Sequence, residues 1–294
     1  MSDHRRGQLF VAGAATAWST AGLLQRQLSV DTTTQLAGRA LFAFLALAVY
    51  VAVANRGRTV AVFTGMGAAG LGVAVATAFA SGSFIVALNH ASVANVLFLQ
   101  AAAPMAAALL AWVALRERIT RRTALAMVVA LAGVGVMVGS PGSGGLVGVG
   151  ATVLMTLAFA VAIVITRHRR DISMAPAICL SQLLVLAAAA PFADPGAVGG
   201  HDLGFLVLMG VGQMGLGLAF LTVGARLIPA AEVALITMLE LVLGPLWVWV
   251  AYSEGVGLAT FAGGAVVALA VLLQTTQRTP ATLPPAVVAR PAPP

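Results

Sequence analysis

Two glutamates eight residues apart, Glu232 and Glu240, lie inside an apolar run of 22 residues, 231–252. A hydrocarbon layer about 30 Å thick takes about 20 apolar residues in a helix, so this run is long enough to cross it. A carboxylate near the centre of such a helix costs about 2.5–3.5 kcal/mol on insertion scales, so it needs a use that offsets the cost. On one continuous helix, eight positions at 100° each leave the two side chains about 80° apart, and both are expected to face one cavity. There they would hold a substrate ammonium or take up a coupling proton. The plainer reading is a carboxyl that hydrogen-bonds a neighbouring helix. Glu232, nearer the interface, has a further option in reaching out to water.

Arg39 lies a turn or two inside a second apolar run and must face the bundle interior or snorkel outward. Its guanidinium suits a substrate carboxylate, which it can bind with two parallel hydrogen bonds. The alternative is a static ion pair, with Glu240 as one candidate partner. If Arg39 and Glu240 line one cavity, a zwitterion such as an amino acid becomes the expected ligand. Asn95, Gln100, Gln182 and Gln213 are neutral donors and acceptors in other apolar runs. They fit either contact with a small polar solute or helix–helix hydrogen bonds. Trp18 either walls a cavity or packs, while Trp247 and Trp249 read as an interfacial aromatic belt. Pro104, Pro176 and Pro245 break or open helices. Glu117 and Glu254 are expected as helix-end anchors paired with Arg, and His90 as an exposed residue at a helix end.

The elements that must position these groups follow from composition. Of 294 residues, 60% are hydrophobic and 9% charged, against about 25% charged in a soluble domain. The net charge of +7 comes from sixteen basic residues, all Arg, set singly or in short clusters between apolar runs. That spacing marks loop topology and argues against a nucleic-acid surface. One cysteine, Cys179, allows no intramolecular disulfide and no Cys/His metal cluster, and no cofactor motif appears. Without lysine there is no G-x-x-x-x-G-K-[ST] phosphate loop, which argues against an ATP-driven pump. The absence of HExxH or a paired His set leaves an intramembrane enzyme as a poor fit, with a non-transporting scaffold or sensor as the other rival.

Apolar runs and their polar or Gly/Pro breaks predict ten spans, at 8–28, 34–54, 63–88, 92–115, 122–139, 146–166, 175–193, 203–225, 230–252 and 257–274. The run after Arg5 and Arg6 reads as an uncleaved first span, and the Pro-rich residues 275–294 as a disordered tail. With the N-terminus inside, the inner segments hold Arg5, Arg6, Arg56, Arg58, Arg116, Arg118, Arg121, Arg122, Arg167, Arg169, Arg170, Arg226, Arg278 and Arg290. The outer ones hold Arg26 beside Asp31, Asp194, Asp202 and Glu254. Alternate loops therefore obey the positive-inside rule, and both termini are expected in the cytoplasm.

An internal repeat accompanies this order. A shift of 137 residues sets Ala94-Asn95-Val96 on Ala231-Glu232-Val233, Trp112-Val-Ala114 on Trp249-Val-Ala251, and Glu117 on Glu254. Five spans per copy is an odd number, so the second copy would enter the bilayer from the opposite side. The expected fold is an all-α integral membrane protein of ten transmembrane helices in two inverted five-helix repeats, 1–140 and 141–274. Many secondary transporters are built this way, with the substrate site near the midplane between repeats.

The chain at this point resembles the EamA family of the drug/metabolite transporter superfamily. The resemblance rests on Ala101-Ala-Ala-Pro104 through Ala111-Trp-Val-Ala-Leu-Arg-Glu117, and on Leu239-Glu240 through Gly244-Pro245-Leu-Trp247-Val-Trp249 to Glu254. Trp18-Ser19 and Gly224-Ala-Arg226-Leu-Ile-Pro229 also fit. Family second repeats commonly place Pro directly after the glutamate at 240. Here Leu241 follows and Pro245 comes later, which is expected to displace any helix break in that span. The resemblance implies a multi-pass carrier in the cytoplasmic membrane for a small metabolite, often an exporter of amino acids or related compounds. Proton coupling and facilitated flow down the gradient are equally compatible with it.

Overall fold

The computed structural model describes residues 1–25, 27–56, 59–90, 96, 99–117, 119–138, 145–169, 171–252 and 258–275. The described residues are mostly helical, with no strand among them. In chain order the helices are α1 (Asp3–Ser19), α2 (Ala21–Gln25), α3 (Thr32–Ala54), α4 (Thr59–Gly65), α5 (Gly67–His90), α6 (Ala103–Leu115) and α7 (Arg121–Val138). They continue as α8 (Leu146–His168), α9 (Ala175–Ala189), α10 (Gly200–Val207), a π-helical stretch (Leu208–Gly215), α11 (Leu216–Leu227), α12 (Ala230–Thr237), α13 (Leu239–Tyr252) and α14 (Leu258–Thr275).

Among the described residues, six helical stretches are long and apolar enough to cross a membrane. They are Thr32–Ala54, Gly67–Phe84, Leu146–His168, Ala175–Phe192, Gly200–Leu227 and Ala230–Ala251, with shorter apolar helices at Ala103–Leu115 and Phe261–Leu273. Large side chains such as Leu45, Val250 and Leu272 stand exposed on the bundle surface, where lipid tails would meet them. The chain is a multi-pass membrane protein. Several expected spans are divided. The first stops at Thr20, whose hydroxyl donates to the Ala17 carbonyl at 2.7 Å. The third divides at Gly67, whose φ of +57° is a backbone conformation that L side chains rarely adopt. The fourth resumes at Ala103, with Pro104 in the first turn, where its missing N–H is no loss.

Helix starts follow from local chemistry. Ser2 caps α1, and Asp31 caps α3 by accepting from the Thr33 and Thr34 backbone N–H groups at 2.8 and 3.1 Å. Pro176 opens α9 as a first-turn residue. Buried hydroxyls satisfy themselves within their own helices: Thr152, Thr156 and Thr166 on α8 donate to carbonyls four residues back.

The helices pair off in a definite pattern. α5 lies along α8, α7 along α14, α1 along α11 and α3 along α9. In addition α9 packs on α5 and the π stretch on α3, α6 packs on α8 and α12, and α1 packs on α13. Small residues permit this closeness, since in a bilayer association depends on backbone approach and van der Waals fit. A Cβ at Gly224 would stand 2.9 Å from the Gly7 carbonyl oxygen, and one at Gly133 would stand 2.9 Å from that of Gly263. Trp247 corrects the aromatic-belt expectation. It is half-buried, and its Nε1 donates to Ser19 Oγ at 2.8 Å, tying α13 to α1. Trp249 stays exposed, edge-on to Phe261 with 5.7 Å between ring centroids.

Candidate functional site

One cavity, about 980 Å³ including its open mouth, lies among α1, α3, α5, α8, α11, α12, α13 and the π stretch. Its two ionisable wall residues are Arg39 from α3 and Glu240 from the first turn of α13. Gln100, Gln213, Thr77, Ser81, Thr156 and Thr237 add polar atoms. The rest is aromatic and aliphatic: Trp18, Phe84 and Phe159 with Met155, Met214, Met238, Leu218 and Leu241. Trp18 meets Phe159 nearly edge-on at 5.9 Å between centroids.

The charged pair is held apart. Arg39 is 7% exposed, and among the described residues no ion pair joins it to Glu240 or to any other carboxylate. The static Arg39–Glu240 pair weighed from sequence is therefore not formed. A guanidinium taken out of water needs an anion, and a cavity carboxylate needs a cation or a proton. Both demands can be met by a solute that carries the two opposite charges.

Local backbone irregularity places the wall. The span holding both glutamates breaks at Met238, between α12 and α13, where the Met238 N–H reaches the Leu235 carbonyl at 3.2 Å and the Leu241 N–H reaches that of Met238 at 3.0 Å. These tight three-residue bonds replace regular helix around Met238, about two turns before Pro245, so the break does not coincide with the proline. Gln213 sits on the π-helical stretch, a form that recurs at functional sites because it re-aims side chains. That stretch approaches α3 backbone to backbone. A Cβ at Gly210 would lie 2.8 Å from the Arg39 carbonyl oxygen. Likewise a Cβ at Gly217 would collide with the Trp18 indole Nε1, so the absence of a side chain there seats the indole.

Two buried polar atoms are left without partners among the described residues, Gln213 Oε1 and Trp18 Nε1. Both belong to cavity-lining side chains. Gln213 is 4% exposed and Trp18 8%.

Of the residues singled out from sequence, Glu240, Arg39, Gln100, Trp18 and Gln213 come together on this wall. Asn95 lies outside the described residues. Gln182, 1% exposed, is on α9 away from the wall, and its Nε2 donates to Ser181 Oγ at 3.2 Å. Glu232 also lies off the wall, against the expectation that it shares the cavity with Glu240. Eight residues separate them by about 12 Å along a helix, and the intervening break voids the angular estimate. Glu232 instead accepts from Gln8 Nε2 at 2.7 Å and lies 3.2 Å from His4 Nε2. Nearby, Arg167 donates to Glu117 at 2.9 Å and to the Arg226 carbonyl at 3.0 Å, so Glu117 is the Arg-paired anchor expected of it. These contacts gather the ends of α1, α6, α8 and α11 and the start of α12.

The sequence reading missed Thr77, Ser81 and Thr237, because hydroxyls are common in apolar helices and usually bond their own backbone. It also missed His4 and Gln8, whose spacing of four puts them on one face of α1 and was the available signal.

No curated protein matches the chain in sequence. Twenty-nine chains of solved structures match it in fold. One, a protein known from its crystal structure, superposes with a TM-score of 0.75 at 19% identity, covering 92% of this chain and 96% of that one. At that identity the likeness speaks for the fold. The family model that matches, over residues 5–139, is that of the EamA-like transporter family. Residues 5–139 thus resemble the EamA-like transporter family, which is part of the drug/metabolite transporter superfamily.

Proposed function

We propose that the protein is a secondary transporter that carries a small zwitterionic metabolite, an amino acid or related compound, through its central cavity by alternating access. The observation that carries this reading is the presence of Arg39 and Glu240, unpaired with each other, on the wall of one cavity. Arg39 would take the carboxylate in a two-pronged hydrogen bond and Glu240 the ammonium. The aromatic and aliphatic remainder of the wall suits the apolar part of the solute. A proton on Glu240 in the empty carrier, released when the solute ammonium arrives, would couple the two fluxes.

The helix pairings support two inverted five-helix repeats. Numbering the ten expected spans in order, α1 and α3 are spans one and two, α5 to α9 are spans three to seven, α11 is the eighth, α12 and α13 the ninth, and α14 the tenth. Moving every span by five turns the α5–α8 pair into α11–α1, the α5–α9 pair into the π stretch on α3, and the α6–α8 pair into α13–α1. The α3–α9, α7–α14 and α6–α12 pairs map onto themselves. A pseudo-two-fold axis in the membrane plane would generate this list and would set the cavity between the repeats. The polar contacts among Glu117, Arg167 and Arg226 fit a cytoplasmic end rich in Arg, with both termini on that side of the cell membrane. Export is the direction that the family resemblance favours.

A thermal-shift screen tests the reading. Detergent-purified protein is melted with amino acids, amines, purines and sugars, alongside Glu240→Gln. A ligand at a hundred times its Kd stabilises by about 2.7 kcal/mol, which is readily seen as a raised Tm. An amino-acid shift that is lost in Glu240→Gln is expected. Shifts with purines or sugars alone would overturn the zwitterion.

A further inference from the structure

We propose that Gln213 is the residue by which the cavity tells an ammonium that carries N–H from one that does not. The inference rests on the zwitterion reading above and adds a specificity determinant to it. Gln213 Oε1 is a pure acceptor, buried and without a partner among the described residues, in a side chain that lines the cavity. In the proposed binding mode the solute supplies the donor that this atom lacks. A carboxylate has none to offer, so the donor is the ammonium.

Glu240 and Gln213 then read different properties of one group. A carboxylate answers to positive charge, which a quaternary ammonium supplies as well as a primary one. An amide oxygen answers to an N–H bond, which the quaternary group lacks. A trimethylated solute would leave Oε1 buried and unpaired, whereas a primary amine closes it. Sites built around such a buried polar group reject the analogue that lacks the matching donor far more strongly than apolar pockets reject a missing methylene. The π-helical stretch supplies the aim. It holds Gln213 three residues past Gly210, where the backbone meets that of Arg39. The acceptor and the carboxylate-binding guanidinium thus come from two elements locked together, a fixed ruler for the two ends of an α-amino acid.

The experiment uses full-length protein in nanodiscs and calorimetric binding of L-leucine, L-phenylalanine and the N-trimethyl betaine of each. Wild type is expected to bind each amino acid about tenfold to a hundredfold tighter than its betaine. In Gln213→Met, which keeps length and removes the acceptor, that ratio should fall to within about threefold. Gln213→Leu, which also removes the acceptor, should lose the preference in the same way and serves if the Met variant does not fold. Steric rejection of the three methyl groups would persist in Gln213→Met, so an unchanged ratio there overturns the inference and leaves the zwitterion reading intact. Equal binding of amino acid and betaine by wild type does the same. Binding of neither amino acid by wild type overturns the zwitterion reading and this inference together.

Discussion

Glu232 and Glu240 share a residue type and an expected span, yet the fold treats them in opposite ways. Glu232 is 3% exposed and closed in by Gln8 and His4, with Arg167 near enough for attraction. Glu240 is half-buried on the cavity wall and has no ion-pair partner among the described residues. The same contrast separates Arg167, bound to Glu117 and to a carbonyl, from Arg39, which faces the cavity. A charge whose partners come from the protein holds helix ends together. A charge with no partner among the described residues is open to a solute, a proton or water. The two regions therefore differ: one ties helix ends together, and on the reading proposed above the other would receive a solute.

This contrast can be broken most forcefully at Arg39. Arg39→Met removes the cation proposed to pair the solute carboxylate, and amino-acid affinity is expected to fall about a hundredfold or more, measured by calorimetry. An affinity within threefold of wild type would assign Arg39 to structure. A smaller but still clear effect is expected for Gly217→Ala. Its methyl group displaces the Trp18 indole, costing about 1–3 kcal/mol of stability and weakening ligand binding with it. Wild-type Tm and affinity would show that the indole has room to move.

Glu232→Ala sharpens the contrast from the other side. Removing the carboxylate that Gln8 and His4 meet should cost about 1–3 kcal/mol of stability while ligand affinity stays within about threefold. Loss of affinity with Tm unchanged would put Glu232 in the transport path after all. The smallest effect belongs to Asp31, whose carboxyl is held below its ordinary value of 3.8, chiefly by the Thr34 hydroxyl and then by the Thr34 N–H. A depressed folded pKa stabilises above the unfolded value, and that contribution is lost as pH falls through the lower folded one. Melting curves from pH 6 down to about 3 should therefore show the wild-type advantage over Asp31→Asn shrinking in acid. A constant difference would rule out the ionised cap.

Much of the receiving region was legible in the sequence. Polar groups at depth are expensive, so Glu240, Arg39, Gln100, Gln213 and Trp18 stood out against their apolar runs, and all five line the cavity. The closing region was legible only in part, through Glu117 as an Arg-paired helix-end anchor. His4 and Gln8 meet Glu232 across more than two hundred residues, and nothing in the spacing along the chain records that distance in space. Trp247 looked like a belt residue because its partner, Ser19, lies on another helix. Gln182 looked like Gln213 because composition does not say which face of a helix meets a cavity and which meets a neighbour.

What the sequence determined by itself is the class of molecule and the cost of its polar residues. Apolar runs of bilayer length and Arg-marked loops follow from the transfer energies of single residues, which need no partners to act. What only the tertiary structure decided is which of those costs the protein meets internally. The break at Met238, the π-helical stretch around Gln213 and the bare surface of Gly217 under Trp18 are set by packing between helices. Packing energies depend on pairs brought together from distant parts of the chain, and so the lack, among the described residues, of an ion-pair partner for Arg39 and Glu240 and of a donor for Gln213 Oε1 becomes visible only when the helices are assembled.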